Sequence, residues 1–244
     1  MKDGASPATK RIDVIHFFFS THPEPCHYIK NAQEMRIVTE LKGKDCIRFF
    51  NHLSSKGYRR NSSTLYTTVC ENCNKCIPIR IITSEFKPWA SLRRSLAKNK
   101  DIELSFLPPK ACEEHYLLFR AYLSARHHQS EMQDMTFDDY KEMIENTPVN
   151  TELAEFRQNG ALIGIMLIDI LDDGISAVYS FFDPFRSKDS LGSIFIALIT
   201  LEAEKRGLPY LYLGYAIKGC KNMEYKFRFK PQEIFINNKW VKAL

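Results

Sequence analysis

Residues 151–182 read TELAEFRQNGALIGIMLIDILDDGISAVYSFF. Three strand-like runs occupy this stretch, and two short polar turns separate them, Asn159-Gly160 and Asp172-Asp173-Gly174. Turns of this composition join neighbouring strands of an antiparallel hairpin. The stretch therefore predicts an antiparallel meander of three strands, over residues 151–158, 162–171 and 175–182.

Helical patterns lie on both sides of the meander. Two helices are predicted before it, and a helix that ends at Gly207, a strand and a short helix are predicted after it. Their ranges are 113–126, 136–144, 191–206, 210–215 and 223–229. The order α-α-β-β-β-α-β-α resembles that of the GNAT-like acyltransferases, whose central strands separate where an amine meets an activated acyl group. The expected fold class is α+β, with a GNAT-like acyltransferase C-terminal domain over residues 106–244.

The chain before Pro108-Pro109 is predicted to form a smaller, cysteine-containing α/β domain over residues 1–105. Its apolar periodicity indicates one helix, two strands that flank a cysteine loop, and a second, basic helix. The predicted ranges are 34–56 for the first helix, 64–68 and 78–83 for the strands, and 89–100 for the basic helix.

Positive charge is concentrated between Lys56 and Lys100. This segment holds ten Lys or Arg residues and two acidic ones, a net charge of +8, whereas the whole chain has a net charge of +5. A protein that gathers its charge in this way is expected to bind a polyanion there, because each cation on a phosphate releases a condensed counterion. The alternative is an ordinary solvated charged face.

The composition predicts a cytoplasmic protein that does not enter the membrane. The chain contains no run of eighteen apolar residues, and its apolar stretch over residues 14–19 is too short for a span. Its seven cysteines are an odd number and are mostly scattered, which fits a reducing compartment better than a disulfide framework. We expect a monomer.

Short motifs with polar and aromatic residues occur along the chain in a fixed order. They are Cys26-His27-Tyr28, Gly57-Tyr58-Arg59-Arg60, Cys70-x2-Cys73-x2-Cys76-x-Pro78-x-Arg80, Ser91-x-Arg93-Arg94, Arg126-His127, residues 176–184, Ser190-Leu191-Gly192, residues 210–215 and Met223-x-Tyr225-Lys226. As an ordered set they resemble the aminoacyl-tRNA–protein transferases, specifically the bacterial leucyltransferase branch that is related to the arginyltransferases of eukaryotes. The resemblance covers about residues 20–240.

This resemblance implies transfer of an amino acid, leucine first and arginine next, from aminoacyl-tRNA to the N-terminal amine of another protein. The acceptor proteins would begin with Asp or Glu, and the product would be an N-degron. The chain departs from the family pattern at Thr67, Ala216 and His128, near the expected substrate region. These departures bear on substrate specificity more than on the class of reaction.

The reaction needs a cation for the acceptor's carboxylate, a proton acceptor for its ammonium and donors for the developing oxyanion. Asp183 follows a predicted central strand and is the first candidate for the proton acceptor; its alternative role is to cap the next turn. Tyr179 is the candidate oxyanion donor or wall of the aminoacyl pocket. The candidates for binding the acceptor are Arg126, His127 and Lys226.

Two further sets of residues follow from the charge and the cysteines. The candidates for tRNA phosphate contacts are Arg59, Arg60, Arg93, Arg94 and Lys98. Transfer itself requires no cofactor, but four thiolates suit zinc or an iron–sulfur cluster, and spacing does not choose between them. The candidate metal ligands are Cys26, Cys70, Cys73 and Cys76, with reduced, metal-free thiols as the alternative.

Two other functions compete with aminoacyl transfer. An acyl-CoA N-acetyltransferase would use Arg186 and Gly192 before a helix whose N-terminus accepts a pyrophosphate, but the loop lacks the denser glycine pattern of such sites. A non-catalytic RNA-binding or zinc module would use the basic cysteine segment alone, and it leaves the acyltransferase-like order of the C-terminal half unexplained.

Overall fold

The computed structural model of the protein describes residues 15–126 and 131–243. The strands are β1 (Phe18–Ser20), β2 (Glu24–Pro25), β3 (Gln33–Glu34), β4 (Arg36–Glu40), β5 (Arg59–Asn61), β6 (Thr64–Thr68), β7 (Ile77–Ile82), β8 (Ile102–Leu107), β9 (Thr151–Gln158), β10 (Ala161–Leu171), β11 (Gly174–Phe182), β12 (Tyr210–Ala216), β13 (Gln232–Ile236) and β14 (Lys239–Lys242). The helices are α1 (Cys46–Ser54), α2 (Ala90–Lys98), α3 (Glu113–Arg126), α4 (Phe137–Glu145), α5 (Leu191–Lys205) and α6 (Lys221–Glu224), and short 3-10 turns cover Thr83–Glu85, Glu131–Asp134, Pro184–Asp189 and Tyr225–Arg228.

The largest layer is an eight-stranded sheet with the order β14-β13-β7-β12-β11-β10-β9-β8. The predicted meander is confirmed as β9, β10 and β11, which pair antiparallel at its centre. The helix predicted over residues 136–144 is confirmed as α4, and it begins with a capping box in which the side chains of Thr136 and Asp139 each accept a hydrogen bond from the other's backbone N–H. Among the described residues, no helix has the length and apolarity needed to span a bilayer.

Both faces of the large sheet are covered by helices. Alternate side chains of β10 point to opposite faces, so that Ile165 and Leu167 pack against α3 and α4, while Met166 and Ile168 pack in the cluster that contains α5. Burial on both faces explains why β10 is almost continuously apolar. This central part of the sheet is a rigid support for the site described below.

The strands β11 and β12 separate at the centre of the sheet. They are parallel neighbours, but they pair only where Gly174–Ser176 faces Tyr210–Tyr212. Beyond this point Val178 forms a bulge on β11, because Ala177 and Tyr179 face consecutive residues of β10. The bulge and the separation open a gap between the two strands, and they confirm the expected GNAT-like α+β architecture.

The N-terminal half differs from its prediction. The predicted helix over residues 34–56 is wrong, because β3 and β4 occupy residues 33–40 and the helix α1 is only Cys46–Ser54. The run Ile37-Val38-Thr39 consists of β-branched residues, which favour an extended strand. Gly43, at φ 83°, ends the extended segment before α1 begins.

The two predicted domains share a sheet. The strands β1, β4, β6 and β5 form a separate four-stranded sheet, and α1 packs in the apolar cluster beneath it. However, β7 leaves this sheet and pairs with β12 and β13 of the large one. The boundary predicted near residue 105 lies inside β8, which is the edge strand of the large sheet. The four-stranded sheet, over residues 18–68, is therefore the part that forms a layer of its own.

Candidate active site

The gap between β11 and β12 holds a cavity of about 280 Å³, which we call the inner cavity. Its lining combines six tyrosines, six apolar residues and two basic side chains, and no described lining residue is an Asp or Glu. The tyrosines are Tyr28, Tyr66, Tyr122, Tyr179, Tyr215 and Tyr225; the apolar residues are Met166, Ala177, Val178, Ile196, Leu213 and Met223; the basic side chains are Arg59 and Lys226. The inner cavity is therefore positive, rich in hydroxyl groups and apolar in part.

Lys226 is a half-buried lysine whose amine is surrounded by protein. Its Nζ donates a hydrogen bond of 2.7 Å to the carbonyl oxygen of Tyr215 and lies 3.7 Å from the Sδ atom of Met223. Burial first, and the charge of Arg59 second, lower the pKa of Lys226 to about 7. A large fraction of Lys226 is therefore neutral near pH 7, and a neutral amine accepts a proton.

Tyr179 lines the inner cavity, as its predicted role requires. Burial raises the pKa of its phenol well above the ordinary value. Burial also raises the pKa values of Tyr215 and Tyr225 to about 12. All three hydroxyl groups therefore keep their protons at neutral pH and are able to donate hydrogen bonds.

Arg59 is half-buried, and its guanidinium points into the protein. Its Nη2 donates to the carbonyl oxygens of Ala177 and Val178, at 3.3 and 3.2 Å, on the separated part of β11. The prediction that Arg59 contacts tRNA phosphates does not fit this position, because its guanidinium lies in the gap between β11 and β12. The sequence pattern shows the charge of Arg59 but not its depth, which depends on how β5 packs against β11.

Arg60 is also unavailable to tRNA. Its side chain is 2% exposed, and it forms a bidentate ion pair with Asp169, which is 0% exposed. The two bonds measure 2.6 Å from Nε and 2.7 Å from Nη2. Arg60 is therefore a link between the four-stranded sheet and β10, and its assignment to phosphate contacts is corrected.

A second depression, the outer pocket, opens beside the inner cavity. It measures about 400 Å³ and shares Tyr122, Ser180, Asn222 and Tyr225 with the inner cavity. Its own lining includes three cations and the first residues of α5. These are Arg126, Arg186, Lys221 and residues 190–193. The outer pocket is therefore a positively charged entrance that is continuous with the inner cavity.

The predicted acceptor-binding residues divide between these two spaces. Lys226 lies in the inner cavity, whereas Arg126 lines the outer pocket, with its guanidinium 5.7 Å from the ring centre of Phe182. His127 lies outside the described residues. Arg126 and Lys226 therefore lie in two adjoining spaces, and their binding of the acceptor stays a prediction.

Asp183 occupies a capping position. Its carboxylate accepts a hydrogen bond of 2.9 Å from the backbone N–H of Phe185, at the start of the Pro184–Asp189 turn. Asp183 lines neither the inner cavity nor the outer pocket. Its geometry matches the alternative capping role, and its role as proton acceptor stays a prediction.

The predicted basic helix is confirmed as α2. Arg93, Arg94 and Lys98 are exposed on it. Lys98 donates to Asp189 at 3.1 Å, and Arg186, which lines the outer pocket, donates to Asn99 at 3.1 Å. The C-terminal end of α2 therefore contacts the wall of the outer pocket, and the three cations lie on a surface that leads to it.

The four candidate metal ligands are neighbours in space. Burial first, and then repulsion from the thiolate forms of Cys70, Cys26 and Cys73, raise the pKa of Cys76 to about 11. All four are free cysteines. Within residues 15–126 and 131–243, however, no three His, Cys, Asp or Glu side chains are arranged to hold a metal ion. The thiols are therefore gathered as predicted, but they do not form a coordination sphere.

Several residues of the inner cavity were not singled out from the sequence. They are Tyr28, Tyr66, Tyr122 and Asn222. Tyr28 belongs to one of the short motifs quoted above, so the ordered motifs did contain part of this information. Tyr66 and Tyr122 have no such local pattern, because only the pairing of distant strands brings them to the gap.

Two protein-family models match the chain. The model described as "Arginine-tRNA-protein transferase, N terminus" matches residues 24–94, and "Arginine-tRNA-protein transferase, C terminus" matches residues 114–236. The matched ranges include β11, β12, Arg59 and Lys226. They therefore cover the strands and both cations of the inner cavity.

Curated relatives match over nearly the whole chain. The aspartate/glutamate leucyltransferase of Gluconacetobacter diazotrophicus is 44% identical over 225 residues, which are 92% of this chain and 86% of the relative. The protein of the same name from Paramagnetospirillum magneticum is 41% identical over 228 residues, 93% of each chain.

Among solved structures, L-PGS from Bacillus licheniformis is similar with a TM-score of 0.47 and 13% identity, over 74% of this chain and 52% of that chain. The fold assignment rests on the order and separation of the strands described above, and not on this structural similarity.

Proposed function

The chain belongs to the arginine-tRNA-protein transferase family, a family of aminoacyltransferases, and we propose that it transfers leucine from leucyl-tRNA to proteins that begin with Asp or Glu. The names of its curated relatives support both the donor and the acceptor. The observation that carries the proposal is the inner cavity itself. It lies where GNAT-like strands separate, and it offers the charged Arg59, the partly neutral Lys226 and no carboxylate to an incoming acidic residue.

The lining of the inner cavity favours leucine over arginine as the transferred residue. Met166, Ile196, Leu213 and Met223 supply an apolar surface for a leucyl side chain. An arginyl side chain would add a cation to a cavity that already holds Arg59 and Lys226. Repulsion between like charges in a partly desolvated site would disfavour that donor.

The reaction is a direct attack of the acceptor's amine on the aminoacyl ester. Neutral Lys226 takes a proton from the acceptor's α-ammonium, and the free amine then attacks the ester carbonyl carbon. Tyr179 donates its hydroxyl hydrogen to the developing oxyanion. The new amide bond forms as the bond to the ribose oxygen breaks, and the ribose oxygen receives a proton from protonated Lys226. The attacking nitrogen then gives its surplus proton to the neutral Lys226, which releases it to solvent. No covalent enzyme intermediate is required, because the ester is already activated and positioning lowers much of the barrier.

The outer pocket and α2 receive the 3′ end of the tRNA. Arg126, Arg186 and Lys221 face the entrance of the inner cavity, and phosphates that approach it meet these cations first. Arg93 and Arg94 extend the positive surface along α2. The tRNA thus places its aminoacyl ester in the inner cavity while its backbone stays outside.

We assign no role in the transfer reaction to the four neighbouring cysteines. The transfer steps use no cofactor, and a zinc ion or iron–sulfur cluster at Cys26, Cys70, Cys73 and Cys76 would be structural, since none of the four lines the inner cavity. Metal analysis of anaerobically purified protein tests for either metal.

The leucylated product is an N-degron, and the reaction takes place in the cytoplasm, where charged tRNA is abundant. The enzyme acts as a monomer.

A labelling experiment tests this function. Radiolabelled leucyl-tRNA, arginyl-tRNA or acetyl-CoA is incubated with the protein and with two peptides that differ only in beginning with Asp or Lys. We expect leucine on the Asp peptide and little label on the Lys peptide. A peptide with an acetylated N-terminus is the control for attack by the α-amine. Equal transfer of arginine would contradict the donor, equal labelling of both peptides would contradict the acceptor, and labelling only from acetyl-CoA would identify an acetyltransferase.

A further inference from the structure

Arg59 enters the gap between the separating strands from outside the large sheet. It belongs to β5, in the four-stranded sheet, whereas its Nη2 donates to Ala177 and Val178 of β11. These two carbonyl groups lie just beyond Ser176, the last residue of β11 that pairs with β12. The Nη2 group thus takes the place of the backbone N–H donors that β12 no longer supplies to β11. These two hydrogen bonds fix the orientation of the guanidinium plane.

Gly214 has no side chain, and this leaves room for the Arg59 guanidinium on the β12 side of the gap. It has a φ of +71°, and a Cβ atom added to it would lie 1.6 Å from Nη1 and 2.2 Å from Cζ of Arg59. These distances are far below any van der Waals contact, so a side chain at position 214 and the present position of Arg59 exclude each other. The guanidinium therefore lies directly against the backbone of β12.

The remaining amine of Arg59 has no partner. Its Nη1 is buried and makes no hydrogen bond to any described residue. Other buried arginines of the chain are paired with carboxylates, as Arg60 is with Asp169 and Arg80 with Glu233. A buried charged donor without an acceptor is costly. Arg59 lines the inner cavity, whose described lining contains no carboxylate, so a carboxylate that pairs with this guanidinium would have to belong to a bound ligand.

The charge of Arg59 changes the pKa values of several residues that line the inner cavity. It lowers the pKa of Lys226, after the larger effect of burial. It also opposes the burial effect that raises the pKa values of Tyr28, Tyr215 and Tyr225. One cation thus stays charged while the lysine beside it is partly neutral. An N-terminal Asp or Glu presents matching groups, an α-amine on Cα and a side-chain carboxylate that is one or two methylene groups away.

We propose that Arg59 binds the side-chain carboxylate of the acceptor's first residue, and that Gly214 is the positioning residue that allows it to do so. The inference rests on the proposed function and makes it more specific. Arg59 selects for Asp or Glu, while Lys226 deprotonates the amine of the same residue. The four-stranded sheet thereby contributes the specificity residue to a cavity whose other walls come mainly from the large sheet and its helices.

The test measures selectivity and not activity alone. Two peptides that begin with Asp or with its neutral isostere Asn compete for leucine transfer in one reaction, with the wild type and with Arg59→Gln. We expect the ratio of kcat/KM for Asp over Asn to fall about ten- to a hundredfold in the variant, the usual effect of losing a charge-assisted hydrogen bond. Because both peptides meet the same enzyme, partial unfolding of the variant does not change the ratio.

Two glycine variants supply the second arm of the test. Gly214→Ala displaces Arg59 and is expected to lower the Asp-over-Asn ratio as Arg59→Gln does. Gly207→Ala is the matched control, because Gly207 has a φ of +72° and nothing within 4 Å of an added Cβ, so that it adds backbone strain alone. We expect its ratio to equal that of the wild type.

The outcomes separate this inference from the proposed function. An unchanged ratio in Arg59→Gln, with an active wild type, would overturn the inference alone. A ratio that falls equally in Gly207→Ala and Gly214→Ala would also overturn it, because strain and not Arg59 would then be the cause. Absence of leucyl transfer in the wild type itself would overturn the proposed function and the inference with it.

Discussion

Replacing Lys226 with Met removes the proposed proton acceptor and keeps a side chain of similar length. With a pKa of about 7, half of Lys226 is neutral at pH 7 and about a tenth at pH 6. The transfer rate of the wild type should therefore fall about tenfold for each pH unit below 7 and level off above it. The variant should be slower by about 10²–10⁴-fold at pH 7, the usual loss when a general base is removed.

The shape of the pH profile separates a base from a structural lysine. Without Lys226, only acceptor amine that is already free reacts, and its pKa is about 7.7–8.0. The midpoint of the profile should therefore move up to about pH 8, and the difference between wild type and variant should narrow at higher pH. The assay is single-turnover leucine transfer to an Asp-first peptide at saturating leucyl-tRNA. Lys218→Met, at an exposed position nearby, is the control.

Stability gives an independent readout of the same ionisation. The folded-state pKa of Lys226, about 7, lies below its unfolded value of about 10.4. Between about pH 7 and about pH 10.4 the unfolded state binds more protons than the folded state, so the free energy of unfolding rises with pH through this window. The cost of burying the charged lysine is therefore greatest at about pH 7 and below. Urea unfolding should show the Met variant gaining most over the wild type near pH 6 and least near pH 10. A constant stability difference, together with an unshifted rate profile, would refute the assignment of Lys226 as the base.

Three further predictions follow from the structure. Asp169→Ala should lower the free energy of unfolding by about 3–5 kcal/mol in urea denaturation, because it leaves Arg60 buried without its partner. Replacing both Arg60 and Asp169 with apolar residues should lower it by less, and a larger loss in the double variant would contradict this reasoning. Arg93→Glu with Arg94→Glu should weaken tRNA binding and reduce the salt slope of log K by about 2 or more, whereas an unchanged slope would mean that α2 faces solvent. Asp183→Ala should lower stability by about 1 kcal/mol and Asp183→Asn should not, since Asn caps equally well; a well-folded Asn variant that transfers leucine about 10²–10⁴-fold more slowly would instead identify Asp183 as the base.

The local elements of the C-terminal half were predictable because their causes are local. The turn at Asn159-Gly160, the capping pair of Thr136 and Asp139, and the apolar faces of α3 and α5 each act over a few residues of chain. Such patterns determine where a helix or strand begins and ends. The prediction failed over residues 34–56, where a run of β-branched residues and a glycine turn outweighed a helical spacing of apolar side chains.

The sequence by itself determined the family, the order of the elements and the gathering of charge and cysteines in one segment. Only the tertiary structure decided what each charge does. Arg59 and Arg60 are adjacent in the chain, but alternate side chains of a strand point in opposite directions, so Arg60 is buried against Asp169 and Arg59 reaches into the inner cavity. Depth, pairing and pKa depend on contacts between residues more than a hundred positions apart. No local pattern encodes those contacts, because they form only when β5 packs on the gap that β11 and β12 leave open.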